Sequence, residues 1–311
     1  MDPHDHDRPH EHPHHGDHQH GHDHGPDLSF TSPEMVAFAE LEGEVLAGMA
    51  VGGIGALAEQ AERQGLDVRR VLDVGAGPGV GTCLLAERFA SADVLAVDAS
   101  AAMLERAAAR AERLGVGDRV DTRELELPTG LEGIEPVDVA WASMSLHHVG
   151  DEVAALRAIH DVLVSGGLLA LVEAAGPVRV LPSDVDLDRP GLWERIDAGW
   201  EAWFAAMRRD LPGATPSADH ATMLRRAGFE LVAQERLDLA LDPPLDDRAR
   251  RLAHRHLSWT RTQLASYAEE GDREVLDRLL DDADEASILR RGDARVQTSR
   301  RLVLARAASQ R

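Results

Sequence analysis

The segment from residue 71 to residue 79 combines a carboxylate with closely spaced glycines. Asp73 is followed by Gly75, Gly77 and Gly79, each separated from the next by one residue. Alternating glycines permit a tight turn between a strand and a helix, and they let a ligand approach the backbone closely. A carboxylate here would repel a pyrophosphate but suits an ammonium or a sulfonium cation. The segment therefore predicts a turn that binds a cationic ligand.

A second carboxylate, Asp98, ends the next apolar run along the chain. An acid about 20 residues after such a turn accepts hydrogen bonds from ribose hydroxyls in α/β nucleotide-binding folds. Asp98 is also placed to cap a helix, although Ser100 can fill that role alone. The Gly-x-Gly-x-x-Gly fingerprint of NAD-binding proteins stays incomplete, because Val80 or Thr82 stands at its last position. An NAD-dependent oxidoreductase is therefore only an alternative.

The elements that must position these acids are strands alternating with helices. The predicted strands are residues 71–74, 94–98, 120–124, 137–141 and 168–173. The predicted helices between them are residues 82–89, 101–114 and 152–163. This alternation predicts an α/β fold with a doubly wound, mostly parallel sheet and helices on both faces. Right-handed crossovers then bring Asp73 and Asp98 to the same edge of the sheet.

Further helices are predicted on both sides of this core. Ser32 and Pro33 start an N-terminal helix, with apolar residues recurring from Met35 to Met49, and a second helix covers 54–64. The C-terminal half predicts helices at 188–209 and 218–227, a strand at 229–236, and a break at Pro243–Pro244. More helices follow to about 282 and a last strand covers 301–305.

Composition and charge exclude several classes of function. The formal net charge of −22 at pH 7 repels phosphate backbones, so we expect no nucleic-acid partner. The single cysteine, Cys83, cannot form an intramolecular disulfide, which fits a reducing cytoplasm. No apolar run reaches the roughly 18 residues of a membrane span. We therefore expect a cytoplasmic protein that does not enter membranes.

Residues 1–27 form a histidine-rich tail that holds ten of the 16 histidines. Because it has almost no apolar residues to offset its ordering entropy, we predict that it is disordered. The spacing of His20, His22 and His24 favours weak binding of Zn²⁺, Ni²⁺ or Cu²⁺, and we expect no metal site in the core. A metal-binding protein that uses this tail and leaves the core idle is the alternative function.

Four motifs in order resemble those of class I S-adenosylmethionine-dependent methyltransferases. They are DVGAGPG at 73–79, DASAAML at 98–104, SLHHV at 145–149 and LVSGG at 163–167. The resemblance covers about 71–173. It implies an enzyme that transfers a methyl group from S-adenosylmethionine to O, N or C of a small organic acceptor. It also implies a seven-stranded sheet with an antiparallel last strand.

The resemblance further implies the contacts of the cofactor. Gly75 and Gly77 would lie along its methionine portion, with Asp73 near the ammonium group. Asp98 would hold the ribose. The remaining contacts that the resemblance implies are Ala76, Ala99, Met103, Leu125, Ser143 and an acid after the third strand, which is expected to be Glu124, with Glu126 as the alternative.

Candidate catalytic residues follow the fourth and fifth strands. His147 and His148 lie beside the expected methyl position, and Glu173 ends the fifth strand. Each is a candidate general base, which is needed only when the acceptor atom must lose a proton. Otherwise catalysis rests on holding donor and acceptor in near-attack geometry.

These interpretations divide the chain into three parts. They are the tail at 1–27, N-terminal helices at 28–66, and a methyltransferase domain at 67–311. Within that domain, 67–175 would bind the cofactor, and 176–311 would supply the acceptor side and the last strands. The acceptor pocket is expected between the helix at 35–49 and the aromatic-rich segment at 193–204.

Overall fold

The computed structural model describes residues 32–183, 187–215 and 219–308. The predictions of a disordered tail and of a weak metal site at His20, His22 and His24 lie outside these residues. No single helix in the described ranges is long and apolar enough to cross a membrane. The first two helices meet that test only when taken together, and they are bent by 64° relative to each other.

Seven strands form one sheet in the described part of the chain. They are β1 (Arg70–Val74), β2 (Asp93–Asp98), β3 (Val120–Glu124), β4 (Val137–Ser143), β5 (Leu163–Ala174), β6 (Phe229–Leu241) and β7 (Val296–Ala307). Their order is β3-β2-β1-β4-β5-β7-β6, and β1 to β5 run parallel. Strand β7 is antiparallel to both neighbours. The predicted mostly parallel sheet with an antiparallel last strand is confirmed.

Helices cover both faces of this sheet. They are α1 (Pro33–Val45), α2 (Ala47–Gln64), α3 (Val80–Arg88), α4 (Ala101–Leu114), α5 (Glu152–Val162), α6 (Leu192–Asp210), α7 (His220–Arg226), α8 (Asp247–Gln263) and α9 (Glu270–Leu280). Short 3₁₀ turns cover Gly117–Arg119 and Leu146–His148.

The central strands are buried on both faces, as a sheet covered by helices requires. In β1, Leu72 packs in one hydrophobic cluster and its neighbour Val71 in another. In β5, Leu169 packs in the first of these clusters and Leu168 in the second. A third cluster joins α1 to the C-terminal helices α6, α8 and α9. The added helices therefore have a core of their own, which lies beside the sheet.

The first N-terminal helix begins as predicted, but the boundary between the two helices lies at a different residue. Ser32 accepts a hydrogen bond from the Met35 N–H at 3.1 Å and caps α1. The chain then turns at Leu46, which is buried, and α2 continues through Gly53 instead of starting after it. A Cβ at Gly53 would lie 2.8 Å from the Trp141 ring, so this glycine allows α2 to pack closely on the sheet.

Strands β6 and β7 are longer than the apolar pattern predicts. They pair with each other from Phe229 opposite Ala307 to Leu241 opposite Val296. The extended ends contain polar residues, whose backbone groups are satisfied by this pairing. Their length therefore follows from a contact between segments that are distant in the chain.

Candidate functional site

The glycine turn lies between the end of β1 and the start of α3. The Gly75 and Ala76 N–H groups both donate to the Val97 carbonyl of β2, at 2.8 and 3.0 Å. Gly77 has a φ of +53°, and the place where its Cβ would stand has no atom within 4 Å. Gly79 differs, because a Cβ there would lie 2.5 Å from Ala107 in α4. The turn is therefore packed at one end and open beside Gly77.

Asp98 stands directly against this opening. Its Oδ2 accepts a hydrogen bond from the Gly77 N–H at 2.9 Å, and its Oδ1 accepts one from the Ser100 N–H at 2.9 Å. The cap of α4 is Ser100, whose hydroxyl accepts from the Met103 N–H. Ser100, and not Asp98, therefore caps α4 with its side chain. The carboxylate of Asp98 lies at the edge of the turn.

Asp73 is buried beneath the turn, with 2% of its surface exposed. The Thr82 hydroxyl donates to its Oδ2 at 2.6 Å. Burial raises the pKa of Asp73 to about 7, although the Thr82 hydrogen bond opposes the rise. No arginine forms an ion pair with Asp73 in the ranges that the structure covers. A buried carboxylate without a cation is suited to bind an ammonium group.

One cavity of about 1470 Å³ connects the turn with the added helices. The sequence-predicted cofactor residues that line it are Asp73, Gly75, Ala76, Gly77, Asp98, Ala99, Met103, Leu125 and Ser143. Glu124 is exposed at the end of β3 and does not line the cavity, whereas Glu126 does. The geometry thus favours Glu126 over Glu124 as the acid near an adenine.

The same cavity extends to the place expected for the acceptor. Met35 and Phe38 of α1 line it on one side, and Trp200 of α6 lines it on another. Helix α8, which the sequence analysis did not assign to the pocket, adds His256 and Trp259. The aromatic residues of α6 therefore face a cavity, instead of only packing that helix on the sheet.

His147 and Glu173 form a hydrogen-bonded pair where β4 and β5 end. The His147 Nδ1 lies 2.6 Å from Glu173 Oε2, and the Leu146 N–H donates to Glu173 Oε1 at 3.0 Å. Burial alone would raise the pKa of Glu173, but His147 and the Leu146 N–H outweigh it, so its pKa lies below the usual value. An ionised Glu173 can only accept in this contact, so the shared proton lies on His147 Nδ1.

His148 has a different environment, although it lines the same cavity. Desolvation by the cavity wall and the adjacent His147 lower the pKa of His148 well below its usual range. The two imidazole rings lie 4.0 Å apart. A histidine with such a low pKa is a weak proton acceptor at neutral pH. Of the three candidate catalytic residues, the structure therefore pairs His147 with Glu173.

Arg208 of α6 braces the loop that carries these histidines. It donates to the carbonyls of His147 and Val149 at 2.9 and 2.5 Å. It also pairs with Glu152 at 2.8 Å, and both side chains are only 7% exposed. This contact was not predicted, because 61 residues separate Arg208 from His147 and no motif marks Arg208.

Two other histidines of the cavity wall were also not predicted. His220 begins α7 and His256 lies in α8. His220 Nδ1 and His256 Nε2 are buried without a hydrogen-bond partner. Burial lowers the pKa of both residues, so both are neutral at pH 7. Within the described ranges, no group of three or more His, Cys, Asp or Glu residues could hold a metal ion.

Comparisons with known proteins identify relatives of this chain among the methyltransferases. Residues 71–167 match the family described as methyltransferase domain. A trans-aconitate 2-methyltransferase from Methylobacterium radiotolerans is 34% identical over 105 residues, which cover 33% of this chain and 37% of that protein. A 27-O-demethylrifamycin SV methyltransferase from Amycolatopsis mediterranei is 32% identical over 174 residues, which cover 53% and 56%.

The first curated relatives are thus matched over only 24% to 56% of their own length. A solved structure, the YcgJ protein from Bacillus subtilis, is similar over 83% of this chain and 99% of that one. Its TM-score is 0.50 at 18% sequence identity, so the likeness concerns the fold.

Proposed function

We propose that the whole chain, whose residues 71–167 match a methyltransferase domain family, is an S-adenosylmethionine-dependent enzyme that methylates a hydroxyl oxygen of a small organic acceptor. One observation carries the proposal. A single cavity is lined at one end by the glycine turn with Asp73 and Asp98, and elsewhere by the His147–Glu173 pair. Cofactor and acceptor can therefore meet beside a base.

The residues at the turn fit the cofactor. The open side of Gly77 leaves room for the methionine portion, and the buried Asp73 carboxylate binds its ammonium group. Asp98 binds the ribose hydroxyls, while Glu126 accepts the adenine amino group. The apolar contacts proposed for the adenosyl group are Ala99, Met103 and Leu125.

S-adenosylmethionine supplies a methyl carbon whose bond to a positively charged sulfur breaks readily on in-line attack, leaving a neutral thioether. His147 Nε2 would accept the proton that the acceptor hydroxyl loses when its oxygen is methylated. Glu173 stabilises the imidazolium that forms, since its carboxylate already accepts the Nδ1 proton. A positioned general base of this kind contributes about 10²- to 10⁴-fold to the rate.

The weak metal site proposed for the tail is a separate matter. Its support is the spacing of His20, His22 and His24, and these residues lie outside the described ranges. Methyl transfer as proposed here uses residues 73–173 together with the acceptor wall, and it does not use the tail.

The first prediction concerns binding of S-adenosylhomocysteine, the product form of the cofactor. It should raise the melting temperature of the protein, because a ligand at 100 times its Kd stabilises by about 2.7 kcal/mol. Asp98→Ala should remove this rise, since the ribose loses its carboxylate partner. Differential scanning fluorimetry measures both, each variant being compared with its own ligand-free form.

Asp93→Ala is the matched control, because Asp93 is an exposed carboxylate at the opposite end of the same strand. This variant should keep the full rise in melting temperature. If wild-type protein shows no rise, or if Asp98→Ala keeps it, the cofactor site is not where we propose.

A further inference from the structure

All five tryptophans of the chain contribute to the wall of one cavity. This is a strong concentration, because aromatic residues make up only 4% of the sequence. Trp200 and Phe204 of α6 stack at 5.2 Å with 14° between their planes, and Phe204 lies 5.8 Å from His147. Large aromatic side chains offer flat apolar surface to a ligand. The wall beside the His147–Glu173 pair is therefore aromatic.

The aromatic wall continues into α8. Trp203 packs edge to face against Trp259 at 4.7 Å, and Phe38 packs in the same way against His256 at 5.3 Å. At about 1470 Å³, the cavity exceeds the roughly 300–1,000 Å³ of ordinary small-molecule sites. There is thus room for an acceptor of several rings beside the cofactor.

The charges of the cavity oppose an anionic acceptor. Eight carboxylate side chains line it, against three arginines. Arg208 pairs with Glu152 at 2.8 Å, and Arg300 pairs with Glu42 at 3.2 Å. Only Arg301 has no carboxylate partner among the residues described, and it is exposed. A dicarboxylate or tricarboxylate would meet repulsion that one exposed cation does not compensate.

Besides Asp197 Oδ1, three uncharged polar groups of the wall lack partners, and these three suit uncharged oxygen substituents. Trp193 Nε1, His220 Nδ1 and His256 Nε2 are buried and unpaired. All three side chains are neutral at pH 7, because burial lowers the pKa of both histidines. Neutral donors and acceptors can pair with hydroxyl or carbonyl groups without desolvating a charge.

We propose that the acceptor is a bulky, uncharged molecule in which an aromatic or conjugated ring system carries the hydroxyl group. This inference rests on the proposed methyltransferase function. The ring system lies on the wall formed by Trp200, Phe204 and Trp203, and its hydroxyl reaches His147. An aliphatic carboxylic acid is not the acceptor class of this cavity.

Isothermal titration of the full chain, saturated with S-adenosylhomocysteine, tests the proposal with matched probes. Naphthol and hydroxynaphthoate share a ring system and differ by one carboxylate, while phenol has one ring less. Naphthol should bind at least about tenfold more tightly than either of the other two. Trans-aconitate, an aliphatic tricarboxylate, should show no binding. Equal or reversed affinities within these pairs would overturn the inference.

Variants of Trp200 test whether the aromatic wall is the reason that naphthol binds. Trp200→Ala should weaken naphthol binding at least about tenfold, and Trp200→Leu, which keeps apolar volume, serves if the first variant does not fold. Tyr267→Ala is the control, because Tyr267 is an exposed aromatic residue outside this cavity. Unchanged naphthol binding in both Trp200 variants would contradict the inference.

The same titrations separate the two proposals. If S-adenosylhomocysteine does not bind to wild-type protein, the methyltransferase function fails and the acceptor class fails with it. If S-adenosylhomocysteine binds but the carboxylates bind better than naphthol, only the acceptor class is wrong.

Discussion

His147 and His148 are adjacent in the chain, but their surroundings give them different chemistry. His147 donates its Nδ1 proton to a buried, ionised Glu173. For His148, desolvation and the neighbouring His147 outweigh the effect of the Glu173 carboxylate, so its pKa is lowered. The same motif thus yields one residue that is held by a buried carboxylate and one that stays neutral.

Asp73 shows how burial prepares a residue for a ligand. Its raised pKa, about 7, means that the free protein holds this carboxyl partly protonated near neutral pH. A bound ammonium favours the ionised form and lowers the pKa, so binding releases a proton when the pH is below 7.

The pH dependence of S-adenosylhomocysteine affinity follows from this shift. Affinity should rise with pH up to about 7 and level off above it, with a slope of at most tenfold per pH unit. Titration calorimetry between pH 5.5 and 8 measures this profile. Asp73→Asn should bind more weakly and show a flatter profile. A flat profile in wild-type protein would show that Asp73 does not bind the ammonium.

At the scale of elements, α6 connects the added helices to the loop after β4. Its buried apolar residues pack in the cluster that includes α1 and α8, while Arg208 near its end donates to the carbonyls after β4. Through the pair with Glu152, the same arginine also contacts the start of α5. The position of His147 is therefore tied to the helices that form the acceptor wall.

Arg208→Ala should destabilise the protein strongly. It leaves Glu152 buried without its partner, which typically costs about 3–5 kcal/mol. Urea unfolding gives the change in the free energy of unfolding. Arg209→Ala is the matched control, because Arg209 is 73% exposed and its ion pair with Asp210 is equally open to solvent, so its change should stay within about 0.5 kcal/mol. Similar values for both variants would show that the buried pair does not brace the loop.

At the scale of the whole molecule, the chain has a negative net charge, and carboxylates also line its cavity. The net charge of −22 opposes binding to nucleic acid, and the carboxylates of the cavity extend the same field to the site. A cofactor with a positive charge is attracted to such a cavity, and an anionic acceptor is repelled. The charge balance therefore acts on solubility and on ligand choice together.

Deletion of residues 1–27 should leave the rise in melting temperature with S-adenosylhomocysteine unchanged, because every proposed cofactor contact lies after residue 72. Scanning fluorimetry of the shortened and full-length chains makes the comparison, with each chain measured with and without ligand. Loss of the rise on deletion would favour the alternative in which the His-rich tail is essential and the core is idle.

Short-range patterns in the sequence predicted much of this protein. The spacing of Gly75, Gly77 and Gly79 after an apolar run requires a tight turn, and alternating strands and helices require a parallel sheet. Once the strands are parallel, Asp73 and Asp98 must meet at one edge. These features depend on residues that are close in the chain, so their pattern is sufficient.

Other features depended on tertiary structure alone. Three contacts join segments that lie far apart in the chain. Strand β6 pairs with β7, Arg208 donates to the loop after β4, and α8 forms part of the cavity wall. The position of Glu124 outside the cavity and the pairing of His147 with Glu173 also depended on contacts between side chains. No local spacing records such contacts, because their free energy arises only when packing brings the distant segments together.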